Sequence, residues 1–149
     1  MNIGDICSRA VVSIGAGEPV QRAAELMRQY HVGSLVVTED ANGGLGPVGI
    51  VTDRDIVIEI VAKNVDPGTL TVGDIMSEEP LIANEEDDVD EVLDDMHKEG
   101  VRRIPVVDEN GAVVGVFALD DLLQIMATQM DLVAGIVGAQ RGEESRMRA

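Results

Sequence analysis

The sequence is nearly devoid of aromatic residues: its 149 residues include one Phe, one Tyr and no Trp. The apolar fraction is nevertheless 45%, a normal value for a folded protein, so the core must be built from aliphatic side chains and methionine. Proteins that bind single-stranded nucleic acid stack the bases on aromatic side chains. The shortage of aromatic residues therefore argues against that class of function.

Positive charge is also scarce, since 28 acidic residues face 11 basic ones and the net charge is −17. Only Lys63 and Lys98 are lysines. Such a surface repels a phosphate backbone, which makes nucleic acid a poor partner. An acidic surface with little lysine is what a salt-rich cytosol would select, because salt screens self-repulsion. We expect a halophilic protein; the alternative is an acidic protein from an ordinary cell.

Cysteine is limited to Cys7, so the chain forms no internal disulfide and a reducing compartment is expected. The sequence has no basic N-terminal region followed by an apolar segment, and no uninterrupted apolar run approaches about 18 residues. We therefore expect a cytoplasmic protein without a membrane partner. His31 and His97 lack the spacing of metal ligands, so no metal site is predicted.

The sequence does contain an internal repeat. The segment 3–8 returns as 72–77, and Gly49–Asp55 returns as Gly115–Asp121, 66 residues later (115 − 49). Both repeats read as a strand, a helix with apolar residues at i, i+3, i+4 and i+7, two strands and a closing helix. One repeat has too little core to stand alone. We predict an α+β fold of two β-α-β-β-α repeats packed sheet to sheet about a pseudo-twofold axis.

The boundaries follow from the same pattern, with repeat one at 1–66, repeat two at 67–130 and a partly helical or disordered extension at 131–149. Turn chemistry predicts a tight hairpin at Asn110-Gly111 and a looser loop at Ala41–Pro47 in the first repeat. Asp87 or Asp88 can cap the second repeat's first helix, and Gly100 can end it. The predicted elements are first strands 11–14 and 80–83, helical segments 19–32 and 88–101, hairpin strands 34–38, 48–52, 103–108 and 113–118, and closing helices 53–63 and 120–130.

The repeated strand-to-helix corner carries a family resemblance. It reads G-x-x-T-x-x-D in the first repeat and G-x-x-A-x-x-D in the second, with Asp-Ile-Met-Ser ahead of the second repeat's first strand and Val-Arg-Arg-Ile-Pro-Val-Val-Asp in the middle of that repeat. Over about residues 3–130 this pattern resembles a tandem pair of CBS (cystathionine β-synthase) domains, a Bateman module. The resemblance implies a non-catalytic regulatory module that binds AMP, ADP, ATP or S-adenosylmethionine between the repeats, without an obligatory cofactor. It also implies a homodimer that signals to a protein partner in trans by conformational change.

The resemblance assigns the ribose hydroxyls to Asp55 and the phosphate or ribose to Thr52, within the polar corner that also holds Asp53. Asp121 is the second ribose candidate, although Ala118 departs from the family pattern beside it. The residues themselves leave an alternative open. A Thr followed three positions later by an acid is close to a capping box, which would satisfy the helix's own N–H groups.

Arg54, Arg102 and Arg103 are candidate phosphate ligands, because a guanidinium binds phosphate through two hydrogen bonds. Ion pairing with neighbouring carboxylates is the alternative in so acidic a chain. Arg102 and Arg103 are consecutive at a strand start and should point to opposite faces. We therefore expect at most one of them in a given cleft, and we expect the Thr52/Asp55 cleft to take it.

The adenine base needs an apolar slot beside the first strand and its neighbours. Two sets of residues are candidates: Val12, Ser13, Ile14, Leu35, Val36, Val37 and Ile50 for one site, and Leu81, Ile82, Ala83, Ile104, Pro105, Val106 and Val116 for the other. Most of them would lie in the core whatever the chain binds.

Two other classes of function stay open. A nucleotide hydrolase would need a metal-binding carboxylate cluster or a general base in the cleft, and it would turn over ATP with Mg²⁺. A structural, partner-binding module with empty clefts is favoured by Ala118 and by the apolar segment 132–137. Cys7 aligns with Met76 in the repeat, which indicates a buried apolar position rather than an activated thiol. A thermal-shift panel of adenine ligands separates these classes.

Overall fold

The computed structural model describes residues 1–41 and 43–148, with side chains through Gly142. It confirms the predicted α+β fold with two sheets and a duplicated element order. In chain order the elements are α1 (Ile3–Ile6), β1 (Ser13–Gly15), α2 (Val20–Tyr30), β2 (Ser34–Ala41), β3 (Gly44–Thr52), α3 (Asp53–Ile56) with a π-helical turn (Val57–Val61), α4 (Val72–Ile75), β4 (Ser77–Glu78), β5 (Ala83–Asn84), α5 (Val89–Glu99), β6 (Arg103–Val107), β7 (Val113–Ala118) and α6 (Leu119–Arg148).

The two sheets have the strand orders β1-β2-β3-β4 and β5-β6-β7. In each repeat the first strand is parallel to the second, which pairs antiparallel with the third. The segment that precedes the first strand of each repeat pairs with the other repeat. Ser77 pairs with Ile50 of β3, and Ser8 forms two backbone hydrogen bonds of 2.9 Å with Val116 of β7.

Each hydrophobic core also contains a short helix from the other repeat. Ile3 of α1 is fully buried in the second core, among residues such as Phe117 and Ile104. Val72 and Ile75 of α4 lie in the first core. Apolar side chains of each repeat are thus removed from water in the core of the other repeat. Neither repeat completes its core alone.

In the first long helix of each repeat, α2 and α5, local sequence signals mark the helix ends well. The Asp88 carboxylate accepts a hydrogen bond from the Asp90 N–H at 3.1 Å and caps α5, and Gly100 ends the helix with φ of 67°. Both features confirm the sequence prediction. His31 takes the same left-handed conformation, with φ of 54°, at the end of α2.

The hairpins differ in how well the sequence predicted them. The Asn110-Gly111 turn is confirmed, with Gly111 at φ of 81° and the Asp108 carboxylate accepting the N–H groups of Asn110 and Ala112. The prediction of a loose loop at Ala41–Pro47 is wrong. Strand β2 continues to Ala41 and β3 begins at Gly44, because a register shift after Val37 and the positive φ of 88° at Gly43 let the strands stay paired.

The first strands are shorter than predicted and begin later. Strand β1 covers Ser13–Gly15 rather than 11–14, and β5 covers only Ala83–Asn84 rather than 80–83. In each repeat the residues just before the strand lie along the other repeat instead, as the pairs at Ser8 and Ser77 show. This shift changes which side chains reach the space between the repeats.

Helix α6 does not end near residue 130 but continues through the predicted extension to Arg148. Within its segment Leu119–Gly142, a stretch of 18 residues has a mean hydropathy of 1.4 and no buried residue, so by length and composition the helix could cross a membrane. One such helix is weak evidence, because helices of soluble proteins meet the same criterion. The segment contains no long uninterrupted apolar run, because Gln124, Thr128, Gln129 and Asp131 break it.

Two equivalent glycines allow the close approach between repeats. A Cβ atom on Gly115 would lie 2.7 Å from the Cys7 sulfur and 2.8 Å from the Ser8 carbonyl oxygen. On Gly49 it would lie 2.5 Å from the Met76 sulfur. The glycine that opens the repeated motif is therefore required by packing against the segment that precedes the other repeat's first strand.

We predict that Gly115→Ala lowers the free energy of unfolding by about 1–3 kcal/mol, the usual cost of overpacking. Urea denaturation measures this change. Gly17→Ala is the matched control, because its Cβ would meet no heavy atom within 4 Å. Equal stability of the two variants would contradict the proposed close contact.

Candidate functional site

Three cavities in the part of the chain that the structure describes have walls from both repeats, and two of them contain the repeated strand-to-helix corners. Of these two, the larger, of about 690 Å³, is called the Thr52 cavity here, and the smaller, of about 220 Å³, the Asp121 cavity. The Thr52 cavity is lined by Gly33, Ser34, Ile50, Thr52, Asp53, Arg54, Ser77, Pro80, Leu81, Gly100, Val101, Arg102, Arg103 and Asp120. The Asp121 cavity is lined by Ser8, Ala10, Val12, Val32, Ser34, Leu35, Val36, Ile50, Arg103, Val116, Ala118, Asp120 and Asp121.

Arg103 and Ser34 mark the pseudo-twofold axis. The Arg103 guanidinium donates a hydrogen bond of 2.9 Å to the Ser34 hydroxyl oxygen, and the two residues are 69 positions apart. That separation is the repeat offset before the hairpins, so the two residues are equivalent. Equivalent residues that touch each other lie at the axis relating them. This position explains why both residues line both cavities.

Arg102 is held by the first turn of α6. Its guanidinium lies 2.7 Å from the Asp120 carboxylate, and its carbonyl oxygen accepts the Leu119 N–H at 2.8 Å. Both arginines line the Thr52 cavity, so the expectation of at most one is wrong. The reason is that β6 begins at Arg103, and the alternation of a strand does not govern Arg102.

The Thr52 cavity concentrates the positive charge of an acidic protein. Three of the nine arginines, Arg54, Arg102 and Arg103, line it, opposed by the carboxylates of Asp53 and Asp120. The sequence pointed to the arginines but missed Ser34 and Asp120. The repeat offset could have found Ser34, because it is the equivalent of Arg103.

Thr52 and Asp55 form the capping box of α3. The Thr52 oxygen accepts the Asp55 N–H at 3.2 Å, and the Asp55 carboxylate accepts the Thr52 N–H at 2.9 Å. Asp55 is half-buried and does not line either cavity, whereas its neighbour Asp53 does. For this pair, the geometry is that of the capping alternative. Thr52 still lines the larger cavity.

The second corner is built differently. Ala118 has no hydroxyl, so a reciprocal box like that of Thr52 and Asp55 cannot form with Asp121. Asp121 is exposed and lines the smaller cavity together with Ala118. The structure thus places the second of the two predicted ribose residues, rather than the first, on a cavity wall.

The apolar wall of the Asp121 cavity comes largely from the first repeat, through Val12, Val36 and Ile50, with Val116 from the second. Eight of the predicted base contacts line neither cavity. Six are buried, namely Ile14, Val37, Ala83, Ile104, Pro105 and Val106; Ser13 is exposed, and Ile82 borders a third cavity. For the first strands the late start explains this, because the cavity is reached by residues before the strand, such as Ala10 and Val12.

Two copies of one β-α-β-β-α unit, sharing clefts about a pseudo-twofold axis, define a tandem CBS domain pair. The chain belongs to the CBS domain family, which matches residues 3–62 and 72–128.

Similar proteins come from archaea and bacteria. The chain is 36% identical over 129 residues to the uncharacterized protein MK0525 of Methanopyrus kandleri, covering 84% of this chain but only 62% of that protein. It is 34% identical to the CBS domain-containing protein YhcV of Bacillus subtilis, covering 81% of this chain and 82% of YhcV. It is 32% identical to Hypoxic response protein 1 of Mycobacterium tuberculosis, covering 79% and 80%.

Solved structures give the same fold. Hypoxic Response Protein I with two coordinated zinc ions has a TM-score of 0.71 and 31% identity, covering 83% of this chain and 98% of that one. The CBS domain pair of protein MJ0100, in complex with 5′-methylthioadenosine and S-adenosyl-L-methionine, has a TM-score of 0.72 and 26% identity, covering 87% and 98%. Among the residues described in the present chain, no three His, Cys, Asp or Glu side chains are grouped as metal ligands.

We predict that Thr52→Ala lowers the free energy of unfolding by about 1 kcal/mol, the usual value of an N-cap. Because the side chain of each residue accepts the other residue's N–H, Thr52→Ala/Asp55→Ala should lower the free energy of unfolding by less than the sum of the single changes. Urea denaturation of the four proteins measures the coupling. Thr52→Ala combined with Asp74→Ala, which belongs to the separate capping box of α4, should be additive. Additivity in the Thr52/Asp55 pair would contradict the reciprocal cap.

Proposed function

We propose that the protein is a non-catalytic sensor that binds an adenosine-containing ligand in the Asp121 cavity. The observation that carries this function is that one cavity joins an apolar wall from the first repeat to a carboxylate from the second. A nucleoside needs both parts, an apolar slot for the base and an acceptor for the sugar. A ligand held this way bridges the two repeats.

The parts of a nucleotide match the parts of the cavity. The base fits among Val12, Ile50 and Val116, and the Asp121 carboxylate accepts hydrogen bonds from the two vicinal ribose hydroxyls, as acidic residues do in dinucleotide-binding folds. Arg103 lies on the same wall and continues into the Thr52 cavity. A phosphate on the ribose would therefore extend toward Arg103 and then Arg102.

The MJ0100 complex supports this class of ligand, since that CBS pair was solved with two adenosine-containing molecules. AMP, ADP, ATP and S-adenosylmethionine share the adenine and the ribose that the Asp121 cavity would hold. The three arginines near the Thr52 cavity favour the nucleotides over S-adenosylmethionine, whose sulfonium carries positive charge.

The conformational change caused by the ligand would be transmitted through α6. Asp120 and Asp121 form its first turn, so a ligand that engages Asp121 acts directly on the start of the 30-residue helix. A ligand shifts such an equilibrium only by binding one state more tightly than the other. We place the protein in the cytoplasm, where a protein partner would read the change in trans.

We predict that Asp121→Ala weakens AMP binding at least about tenfold, because two hydrogen bonds to a charged acceptor are lost. Isothermal titration calorimetry in high potassium measures the affinity. Asp131→Ala removes the same charge from the same helix away from both cavities and should bind AMP like the wild type. Unchanged affinity in Asp121→Ala would sink the ribose assignment. If no adenine ligand stabilised the folded wild-type protein, that result would contradict the proposed function itself.

We predict that Arg103→Ala weakens AMP binding about tenfold more than it weakens adenosine binding, because only AMP carries the phosphate that the guanidinium binds. Arg103→Lys should restore part of the difference, since it keeps the charge without the bidentate geometry. Arg28→Ala, at an exposed position of α2, is the matched control. Equal losses for AMP and adenosine would mean that Arg103 only supports the fold at the axis.

A further inference from the structure

Arg102 and Asp120 form an ion pair at the corner where β7 passes into α6. The Asp120 carboxylate lies 2.7 Å from the Arg102 guanidinium. In the first repeat the equivalent positions hold Gly33, 69 residues before Arg102 (102 − 33), and Arg54, 66 residues before Asp120 (120 − 54). Because glycine has no side chain, the first repeat has no counterpart of this ion pair.

The corner itself does not depend on the ion pair, because a backbone hydrogen bond holds it in both repeats. In the first, the Asp53 N–H donates to the Gly33 carbonyl oxygen at 2.9 Å. In the second, the Leu119 N–H donates to the Arg102 carbonyl oxygen at 2.8 Å. The side chains of Arg102 and Asp120 are 73% and 61% exposed, and such a pair changes a folding equilibrium by at most about fivefold. The two side chains can therefore separate at little cost.

The place of the ion pair matters for a ligand that carries phosphate. Arg102 and Asp120 both line the Thr52 cavity, and Asp120 also lines the Asp121 cavity. The Asp120 carboxylate is therefore shared by the cavity proposed to hold the nucleoside and the cavity that contains Arg102. A phosphate chain that enters the Thr52 cavity meets a guanidinium whose partner is already an anion.

Arg103 presents the opposite case. Its guanidinium donates to the Ser34 hydroxyl oxygen, which is uncharged, and it lines both cavities. An ionised phosphate is a stronger partner for a guanidinium than a hydroxyl is. The first phosphate of a nucleotide can therefore bind Arg103 without displacing an acid, whereas the later phosphates reach Arg102 only by competing with Asp120.

We propose that Asp120 is a specificity-determining residue that occupies Arg102 in place of phosphate, so that the site distinguishes nucleotides by the length of their phosphate chain. The proposal rests on the function proposed above. A monophosphate is bound by Arg103 alone. A triphosphate chain extends to Arg102, carries more negative charge than one carboxylate and displaces Asp120. Because Asp120 belongs to the first turn of α6, the longer chain then changes the contacts of that helix.

The alternative role for Asp120 is to hold Arg102 in place for the ligand. The two roles predict opposite effects when the carboxylate is removed. Loss of a competitor strengthens binding of the phosphate chain, and loss of a positioning residue weakens it. The structure favours competition, because Asp120 carries the same sign of charge as the phosphates and lines both cavities that would hold the nucleotide.

The test compares adenosine, AMP and ATP by isothermal titration calorimetry of the full chain, without divalent metal and at one potassium concentration. Asp120→Asn should bind ATP about fivefold more tightly than the wild type does, because Arg102 no longer has to leave an ion pair. The gain should be smaller for AMP and smallest for adenosine, which carries no phosphate. Equal gains for the three ligands, or an ATP affinity that is unchanged or lower, would overturn the proposal.

Asp53→Asn is the matched control for charge. Asp53 lines the same Thr52 cavity, but its carboxylate accepts the Arg54 backbone N–H at 2.8 Å. This variant should raise the ATP affinity less than Asp120→Asn does. Adding Arg102→Ala to Asp120→Asn should reduce the gain to the same lower level. If Asp53→Asn matched Asp120→Asn, the effect would come from charge alone and the proposed competition for Arg102 would be wrong.

Tripolyphosphate separates this proposal from the proposed function, because it has the phosphate chain without the nucleoside. Asp120→Asn should bind it about fivefold more tightly than the wild type does. This gain, combined with adenosine that fails to bind the wild type, would contradict the adenosine sensor and support the competition for Arg102. Adenosine binding without a gain for ATP or tripolyphosphate would overturn the role of Asp120 alone.

Discussion

The structure depends on the exchange of two short helices between the repeats. Ile3 is buried in the core of the second repeat, and Val72 and Ile75 are buried in that of the first. The chain segments that follow these helices, at Ser8 and Ser77, then pair with strands of the opposite repeat. Burial of apolar surface is the dominant favourable term in folding, so this exchange joins two small cores into one cooperative unit.

The cavities are a consequence of that exchange. The chain contacts the opposite repeat before it reaches the first strand of its own repeat. The residues before each first strand therefore line one wall of a cavity, and the other repeat's strand-to-helix corner lines the opposite wall. The contact of Arg103 with Ser34 at the axis places one cation on the edge of both cavities. A ligand between the repeats would therefore touch the contacts that hold the repeats together, as the proposed sensor function requires.

Sequence reasoning succeeded where the signal is local or repeated. The duplication, the cap at Asp88, the end of α5 at Gly100 and the turn at Gly111 each depend on a few neighbouring residues. It failed where the outcome depends on distant partners. The walls of the cavities follow from which repeat a linking segment joins. The length of α6 was underestimated because Gly135, Gly138 and Gly142 have low helix propensity, yet the helix continues through all three.

The two corners show how one residue changes the role of its neighbour. Thr52 engages Asp55 in a helix cap, whereas Ala118 leaves Asp121 on a cavity wall. Hydrogen–deuterium exchange with and without AMP tests the central claim, that the ligand is held between the repeats. The account predicts slower exchange in both repeats, around residues 10–12 and 34–36 and around 116–122. Slower exchange confined to one repeat would contradict it.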